Sequence, residues 1–362
     1  MDAKTRERYS RQILFTEIGE QGQERLRGSS AVVVGCGALG TALANLLVRA
    51  GVGRLRIVDR DFVEESNLQR QTLFEESDAR DALPKAVAAE RRLAAINSDV
   101  KVEGVVADLD AKNAEDLLSG FPLLLDGTDN FEARFLVNDY AVKSGVPWVY
   151  AAVVASYGVT MAIRPGHTPC LACLAETDEA ADAGREHTTT ADRDGAIPDA
   201  VPGTQATCDT VGVLGAAAGV IASIEAALAL KLLLGKIQAL DDRLLSFDVW
   251  TGRSQSIRVA RRPNCRACGR REFRYLAGEA QPHVTMCGRD SVQIHERRRR
   301  LDLAKLGRSL AAGGGDVRHN EFLLRFRVPP YEVTVFADGR AIVKGTRDPA
   351  VARSLYARYI GA

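Results

Sequence analysis

The sequence lacks an excess of charge of either sign. Its 48 basic and 47 acidic residues leave a formal net charge of +1. The composition therefore gives no reason to expect a nucleic acid or another polyanion as a partner. The chain also lacks an apolar segment at its start, since residues 1–10 are mostly polar and charged. We therefore expect no secretory signal and a cytoplasmic location.

Long apolar runs are also scarce, and residues 211–230 form the clearest one. Its length of about twenty residues would span a bilayer. However, Glu225 lies inside it, and the run is rich in Gly and Ala. We interpret it as a buried helix between two globular halves and expect no membrane association. A membrane span is the alternative.

Cysteine, in contrast, is present seven times, and four cysteines form two C-x-x-C pairs. They are Cys170 with Cys173 and Cys265 with Cys268. Without an export signal, such pairs indicate a bound metal rather than disulfides. Four thiolates in two clips are typical of Zn²⁺ in a closed, structural site. A redox disulfide is the alternative, which the matching of the two pairs disfavours.

Strand and helix patterns alternate through the first half of the chain. Residues 31–34 predict an apolar strand, and a glycine-rich turn, a helix and a second strand at 55–58 follow. This pattern predicts the α/β class, with a doubly wound, Rossmann-like, mostly parallel sheet and a zinc-stapled second half. A small α+β domain is predicted at the C-terminus, since short strand and helix patterns start again after residue 274.

These patterns predict four segments. Residues 1–28 form a helical lead-in, 29–165 a nucleotide-binding half, 166–274 the zinc-clip half, and 275–362 the small α+β domain. Residues 177–205 are polar and read as a long mobile loop, and loops of that length are usually functional or disordered.

The turn after the first strand reads Gly35-Cys36-Gly37-Ala38-Leu39-Gly40. A G-x-G-x-x-G turn between a strand and a helix lets backbone N–H groups approach a phosphate. Asp59 lies 19 residues beyond the last glycine, where a ribose-binding carboxylate is expected. The fingerprint predicts a nucleotide but no reaction, and on this motif alone a nicotinamide dehydrogenase is the favoured interpretation.

Polar residues beyond the later strands favour a different chemistry. Residues 66–71 read Ser-Asn-Leu-Gln-Arg-Gln, Lys85 opens a helix, and residues 126–130 read Asp-Gly-Thr-Asp-Asn. A dehydrogenase needs few cations there. A site that handles a triphosphate needs several, together with a carboxylate for Mg²⁺.

Several motifs occur together that are weak individually and specific in combination. They are Arg8-Tyr9-Ser10-Arg11-Gln12-Ile13-Leu14, the glycine turn, the 66–71 motif, Thr128-Asp129-Asn130, the C-x-x-C pairs and Gly212-Val213-Leu214-Gly215. This combination covers about Lys4 to Gly269 and resembles the ThiF/MoeB/HesA adenylating enzymes, relatives of ubiquitin-activating enzyme.

The resemblance implies that the chain uses ATP and Mg²⁺ to adenylate the C-terminal carboxylate of a small ubiquitin-like sulfur-carrier protein that ends in Gly-Gly. The 166–274 half would bind this carrier. It also implies site roles: the backbone of Gly35, Gly37 and Gly40 approaches the nucleotide, Asp59 holds the ribose, Asn67, Arg70 and Lys85 bind phosphates, and Asp129 binds Mg²⁺.

Two further residues have implied roles that depend on partners. Arg11 resembles the arginine that reaches into a neighbouring subunit's site, which implies a homodimer. Otherwise it is a surface helix residue. Cys208 precedes the apolar helix, where some family members use a cysteine in sulfur or acyl transfer with a sulfur-donor protein. The alternative is a partly buried, inert cysteine.

Three other functions stay open from the sequence. The first is adenylation of a peptide C-terminus or a tRNA-base carboxylate. The second is a non-catalytic dimer module that recruits a carrier, and the third is a nicotinamide oxidoreductase. The residues after 274 do not resemble a rhodanese-like domain, and their role is unassigned.

Overall fold

In the computed structural model, the structure describes residues 1–175, 211–279, 285–286, 291–294, 301–312 and 316–361. The chain divides into two compact units, Met1–Ala280 and Gln281–Ala362. The described residues form two hydrophobic clusters in the first unit and one in the second.

The described part of the first unit has eight strands and ten α-helices, with short 3-10 helices at Glu65–Asn67 and Ile237–Ala239. The strands are β1 (Ser30–Val34), β2 (Arg54–Asp59), β3 (Lys101–Val106), β4 (Leu124–Asp126), β5 (Trp148–Val154), β6 (Tyr157–Ile163), β7 (Leu244–Asp248) and β8 (Arg253–Ile257). The helices are α1 (Ala3–Arg8), α2 (Ser10–Ile13), α3 (Gly19–Arg27), α4 (Ala38–Ala50), α5 (Glu76–Arg80), α6 (Lys85–Ile96), α7 (Ala114–Leu118), α8 (Phe131–Ser144), α9 (Leu171–Ala175) and α10 (Gly215–Leu234).

The strands of the first unit form one sheet in the order β3-β2-β1-β4-β5-β6-β7-β8. Pairing is parallel from β3 through β5 and antiparallel from β5 to β8. The chain order reverses at β1, because β2 and β3 lie on one side of it and β4 on the other. In such a sheet, ligands bind beyond the carboxyl ends of the strands at this switch point. The predicted doubly wound, Rossmann-like fold is confirmed.

Side chains of β1 alternate between two hydrophobic clusters, one on each face of the sheet. Ala31 and Val33 belong to the cluster that contains α4 and α10, whereas Val32 and Val34 belong to the cluster that contains α8. Because successive side chains of a strand point to opposite faces, a fully apolar strand needs cover on both sides. This explains why the central strand of the sheet carries no polar residue between Ala31 and Val34.

The long apolar run folds as α10, which packs against α4, β5 and β6. Ala217, Ile221 and Ala229 of this helix are fully buried. By length and composition alone it is also the described helix that could cross a membrane. Its contacts explain the all-apolar pattern, because a helix covered on several sides needs no polar face. The predicted core helix is confirmed.

The second unit has an antiparallel sheet in the order β11-β12-β13-β14-β10-β9 among its described residues, with two helices. The strands are β9 (Thr285–Met286), β10 (Ser291–Ile294), β11 (Val317–His319), β12 (Leu323–Val328), β13 (Tyr331–Phe336) and β14 (Ala341–Lys344), and the helices are α11 (Leu303–Ala312) and α12 (Pro349–Tyr359). Asp348 caps α12, since its carboxylate accepts the Ala350 N–H at 2.8 Å. The predicted small α+β fold is confirmed.

Candidate active site

The glycine turn leads from β1 into α4 and is packed backbone against backbone. Gly35 has φ +90°, and a Cβ there would lie 2.4 Å from the carbonyl oxygen of Gly127. A Cβ at Gly40 would lie 1.9 Å from the carbonyl oxygen of Gly35. Glycine is therefore required at both positions.

Gly37 differs from these two glycines because a Cβ there would meet nothing closer than 3.9 Å. It is the N-cap of α4, and no side chain in the described part of the chain caps this helix end. The first N–H groups of a 13-residue helix are thus left without a side-chain acceptor. Together with the helix dipole, they make the turn suited to an anionic group such as a phosphate.

Asp59 ends β2 beside this turn and is 9% exposed. Its carboxylate accepts the N–H of Cys36 at 2.6 Å and the N–H of Asp61 at 2.7 Å. Burial raises the pKa of Asp59, while the nearby Lys85 ammonium lowers it. The two predicted nucleotide residues Asp59 and Lys85 are thus electrostatic neighbours, although 26 positions apart in the chain.

Lys85 opens α6 and is buried, with its Nζ 3.1 Å from a carboxylate oxygen of Asp61. Arg60, between Asp59 and Asp61, donates to Asp108 beyond β3 at 3.0 Å. Burial lowers the pKa of Arg60, but Asp108, Asp61 and Asp129 together raise it further than burial lowers it. Arg60, directly after β2, is thus paired with the segment that follows the neighbouring strand β3. The exposed Asp129, which follows β4 on the other side of β1, lies within its electrostatic reach.

Charges at this edge of the sheet do not balance among the groups just described. Four carboxylates, on Asp59, Asp61, Asp108 and Asp129, face two cations, Arg60 and Lys85. Among these six groups, the carboxylates outnumber the cations. Such a site can hold a divalent cation beside an anionic nucleotide.

The 66–71 motif begins inside the 3-10 helix Glu65–Asn67 and carries one buried amide and one partly exposed guanidinium. Asn67 is fully buried, and its Oδ1 accepts the Glu64 N–H at 3.0 Å. Its Nδ2 has no hydrogen-bond partner within the described part of the chain. Arg70 donates to the Ser66 carbonyl at 2.8 Å. A Cβ at Gly215, the first residue of α10, would lie 3.4 Å from the Arg70 side chain.

Arg11 lies away from these residues. It is exposed on α2, and its neighbour Gln12 donates to the Ala50 carbonyl at 2.9 Å. Ala50 ends α4, whereas Gly37 precedes its first turn, so a helix length of about 20 Å separates the two ends. Arg11 is thus outside the nucleotide turn of its own chain.

The four predicted metal ligands come together in one cluster, with all four sulfurs within 4.8 Å of one another. The Sγ atoms of Cys170 and Cys265 are 3.6 Å apart, and those of Cys173 and Cys268 are 3.4 Å apart. Sulfurs bound to one tetrahedral Zn²⁺ would lie about 3.8 Å apart, given Zn–S bonds of about 2.3 Å. The donor set and its spacing fit zinc.

Two adjacent residues of α8 hold the two clips, and the sequence analysis missed both. Asn138 accepts the Leu171 N–H of the first clip at 2.8 Å. Asp139, fully buried, forms two 3.2 Å contacts with the guanidinium of Arg266 between the second pair of cysteines. The sequence could have indicated both, because Asn138-Asp139 is a polar pair in a mostly apolar helix pattern and buried charges are normally paired.

A second buried group was also missed. Asp126 ends β4, accepts the Thr128 N–H at 2.9 Å and pairs with Arg134 at 3.1 Å. Its own N–H donates to Glu225 of α10 at 3.1 Å. Burial raises the pKa of Asp126, against the lowering effect of Arg134. These contacts therefore involve the residues directly before Asp129 in the chain.

Some predicted features lie outside the described residues. They are Cys208 and the loop at 177–205. Cys36, which the sequence analysis did not assign to the site, is buried, and burial raises the pKa of its thiol well above the ordinary value.

Comparisons with known proteins identify relatives along most of the chain. The chain is 43% identical over 358 residues to the Bacillus subtilis sulfur carrier protein ThiS adenylyltransferase, which covers 98% of this chain and 99% of the relative. It is 37% identical over 270 residues to the Haloferax volcanii SAMP-activating enzyme E1, covering 74% of this chain and 91% of that relative.

Among solved structures, Escherichia coli MccB with ATP superposes with a TM-score of 0.57 and 22% identity, over 72% of this chain and 74% of that one. At this identity the likeness shows the fold alone. The ThiF family description matches residues 9–267, which include every predicted site residue except Cys268. The chain therefore belongs to the ThiF family.

Proposed function

We propose that this protein uses ATP to adenylate the C-terminal carboxylate of a small ubiquitin-like sulfur-carrier protein and releases pyrophosphate. The observation that carries the proposal is the end-to-end match to a ThiS adenylyltransferase, over 98% of this chain and 99% of the relative. The site described above supports it, because one edge of the sheet brings together the glycine turn, the cations Lys85 and Arg60, and several carboxylates.

The residues of this chain suit the approach of two anions. Uncapped N–H groups of α4 would hold a phosphate, Asp59 the ribose, and Asn67, Arg70 and Lys85 the phosphates. The Nδ2 of Asn67 has no hydrogen-bond partner among the residues that the structure describes, so it can donate to such an anion. The cations reduce the repulsion between the carrier carboxylate and the α-phosphate and stabilise the leaving pyrophosphate. A carboxylate is already ionised at neutral pH, so no general base is needed.

Asp129 is the residue we propose as the Mg²⁺ ligand. It is exposed at the end of the segment that follows β4, and it contributes to the surplus of negative charge there. Carboxylate oxygens and phosphates together suit Mg²⁺. When bound, the ion supplies charge neutralisation at the phosphates.

The four-cysteine cluster is proposed to hold a structural Zn²⁺. Three of the cysteines are buried and Cys268 is partly buried. All four positions of a tetrahedral ion would be filled by thiolates, which leaves no open position for a substrate. The cluster would fasten the segment after β6 to the segment after β8, and its role would be in stability.

Several finer features belong to the same proposal. Two chains would form a homodimer, with Arg11 of each reaching the site of its partner. Cys208 would take part in a later sulfur-transfer step with a donor protein. The cytoplasmic location stays a prediction from the sequence.

The test is ATP–pyrophosphate exchange with the purified protein, Mg²⁺ and a panel of small carriers that end in Gly-Gly. We expect exchange with one carrier, and we expect it to vanish when the terminal glycine is removed. If exchange occurs with a peptide or a tRNA but with no carrier, that peptide or tRNA would be the substrate instead of a carrier protein. Tight ATP binding without any exchange would indicate a binding module instead.

A further inference from the structure

Among the described helices of the first unit, the long apolar helix α10 carries one acidic side chain at its centre. Glu225 of α10 is fully buried. Its Oε1 accepts the backbone N–H of Asp126 at 3.1 Å, and its Oε2 has no hydrogen-bond partner within the described part of the chain. A buried carboxyl inside such a helix is costly, so its persistence calls for a reason.

The partners of Asp126 define the surroundings of this carboxyl. Asp126 accepts the Thr128 hydroxyl at 2.7 Å and the Arg134 Nε at 3.1 Å. Arg134 in turn donates to the Thr128 carbonyl at 2.7 Å and to the Ala151 carbonyl of β5 at 3.3 Å. The guanidinium is therefore occupied by Asp126 and by backbone oxygens.

These side chains lie where β4 and β5 stop pairing. The register between the two strands covers Leu124 with Trp148 and Leu125 with Val149. Beyond it, β4 turns into the segment that leads to Asp129. On the β5 side, contacts of Asp126, Arg134 and Glu225 take the place of strand pairing at this point, while pairing with β1 continues from Val34 to Asp126. These contacts therefore help to fix the path of that segment.

Charge balance favours a neutral Glu225. Two carboxyls share one guanidinium in a closed core, and like charges at short range cannot both be ionised cheaply. Arg134 contacts Asp126 directly. Burial raises the pKa of Glu225 well above its ordinary value, and the Asp126 charge raises it further.

The segment fixed in this way touches the nucleotide turn. Gly127 follows Asp126, and its N–H donates to the Val34 carbonyl at 2.7 Å. A Cβ at Gly127 would lie 2.2 Å from the Gly35 carbonyl. A displacement of Asp126 would therefore reach both the phosphate-binding turn and Asp129.

We propose that Glu225, as a neutral carboxylic acid, is a positioning residue that fixes residues 126–129 for the binding of Mg²⁺-ATP. This inference rests on the proposed function, because it assumes that Asp129 and the glycine turn serve the nucleotide. Glu225 itself touches neither nucleotide nor metal in this account.

The test uses two substitutions in the full chain. Glu225→Leu keeps a similar side-chain volume but leaves the Asp126 N–H without its acceptor. We expect KM for Mg²⁺-ATP, and the Mg²⁺ concentration that gives half-maximal exchange, to rise roughly tenfold. KM for the carrier should not change. Glu225→Gln keeps a neutral acceptor, and we expect both values within about twofold of wild type.

Leu233→Ala is the matched control, since it opens the core at the far end of the same helix. It should lower Tm without changing KM for Mg²⁺-ATP. The proposal is overturned if Glu225→Leu has the wild-type KM, or if Leu233→Ala raises KM equally, which would indicate general loosening of the helix.

A second measurement serves if Glu225→Leu does not fold. Infrared difference spectra of wild type and Glu225→Gln should contain a protonated-carboxyl C=O band that only wild type has, and its absence would overturn the neutral state. If no carrier supports exchange, the proposed function is wrong whatever the role of Glu225. Mg²⁺-ATP affinity of the variants, measured by calorimetry, then still tests the positioning role.

Discussion

The two units of this chain carry opposite charge. Met1–Ala280 contains 39 acidic and 33 basic residues, whereas Gln281–Ala362 contains 8 acidic and 15 basic residues. The formal net charge of +1 for the whole chain hides this difference. Because charge acts through the surface of each unit, the balanced total does not by itself argue against a polyanionic partner of the second, basic unit.

The two units also differ in which relatives share them. The family description ends at residue 267, inside the first unit. The match to the Haloferax volcanii relative covers 91% of it in 270 residues, which leaves too little length for a further unit of this size. The Bacillus subtilis relative, matched over 358 residues, spans both. The first unit thus carries the family's features, and the second is an addition that some relatives lack.

The largest predicted effect comes from a substitution in the first unit, where we place the chemistry. Asp129→Ala should lower the exchange rate by at least about 100-fold, because it removes the proposed Mg²⁺ ligand from the leaving phosphates. Circular dichroism should show an intact fold, since this side chain is exposed. Asp316→Ala, at an exposed carboxylate of the second unit, is the control. Exchange that survives Asp129→Ala would remove the residue from the metal site.

The next effect concerns stability, and again it separates the units. Cys173→Ser should abolish zinc content and lower the free energy of unfolding by several kcal/mol, because a structural zinc adds its binding energy to folding. Zinc is measured by elemental analysis, with one ion per wild-type chain expected. Cys287→Ser in the second unit should leave zinc content unchanged. Full zinc content in Cys173→Ser would contradict a four-thiolate site.

A smaller effect depends on pH and on the buried carboxyl of the first unit. Glu225 has a pKa raised by burial in the folded state, against about 4.3 when unfolded. Above that value only the unfolded chain releases the proton, so wild-type stability should fall as pH rises, by at most about 1.4 kcal/mol per pH unit.

Glu225→Gln removes this proton, and its stability advantage over wild type should therefore grow with pH. Denaturant unfolding between about pH 5 and pH 8 measures it. The same substitution at Glu332, a carboxylate of the second unit beside Arg325 and Arg327, controls for the loss of an acidic side chain. Parallel pH curves for wild type and Glu225→Gln would mean that Glu225 is ionised in the folded state.

The smallest effect should come from removing the second unit. A chain that ends at Ala280 keeps all proposed nucleotide and zinc residues. At saturating carrier, we expect its exchange rate to stay within about twofold of the full chain, which corresponds to a minor loss of transition-state stabilisation. A loss larger than tenfold, with the first unit folded, would show that the two units share the reaction.

The sequence predicted what short-range patterns encode. The glycine turn, the Asp59 position and the two C-x-x-C pairs each occupy a few residues with fixed spacing, and the sheet topology follows from the alternation of strands and helices. Each pattern has a local cause: Gly35 and Gly40 are required where backbones touch.

The missed features depend on contacts between distant parts of the chain. Asp139 meets Arg266 across 127 positions, and Asp126 meets Glu225 across 99 positions. Neither pair has a local spacing that could reveal it, because packing of α8 and α10 against the sheet brings the partners together. The charge of Arg60 was likewise visible in the sequence, but its link to Asp108 depends on the order of the strands.

The most direct test of the central claim is the intact mass of the carrier after incubation with this protein, ATP and Mg²⁺. The account predicts a carrier heavier by one AMP less one water, on the terminal carboxylate, and no adduct with Asp129→Ala or with a carrier that lacks its last glycine. Carriers of unchanged mass, with AMP formed on another acceptor or no ATP consumed, would contradict adenylation of a sulfur carrier.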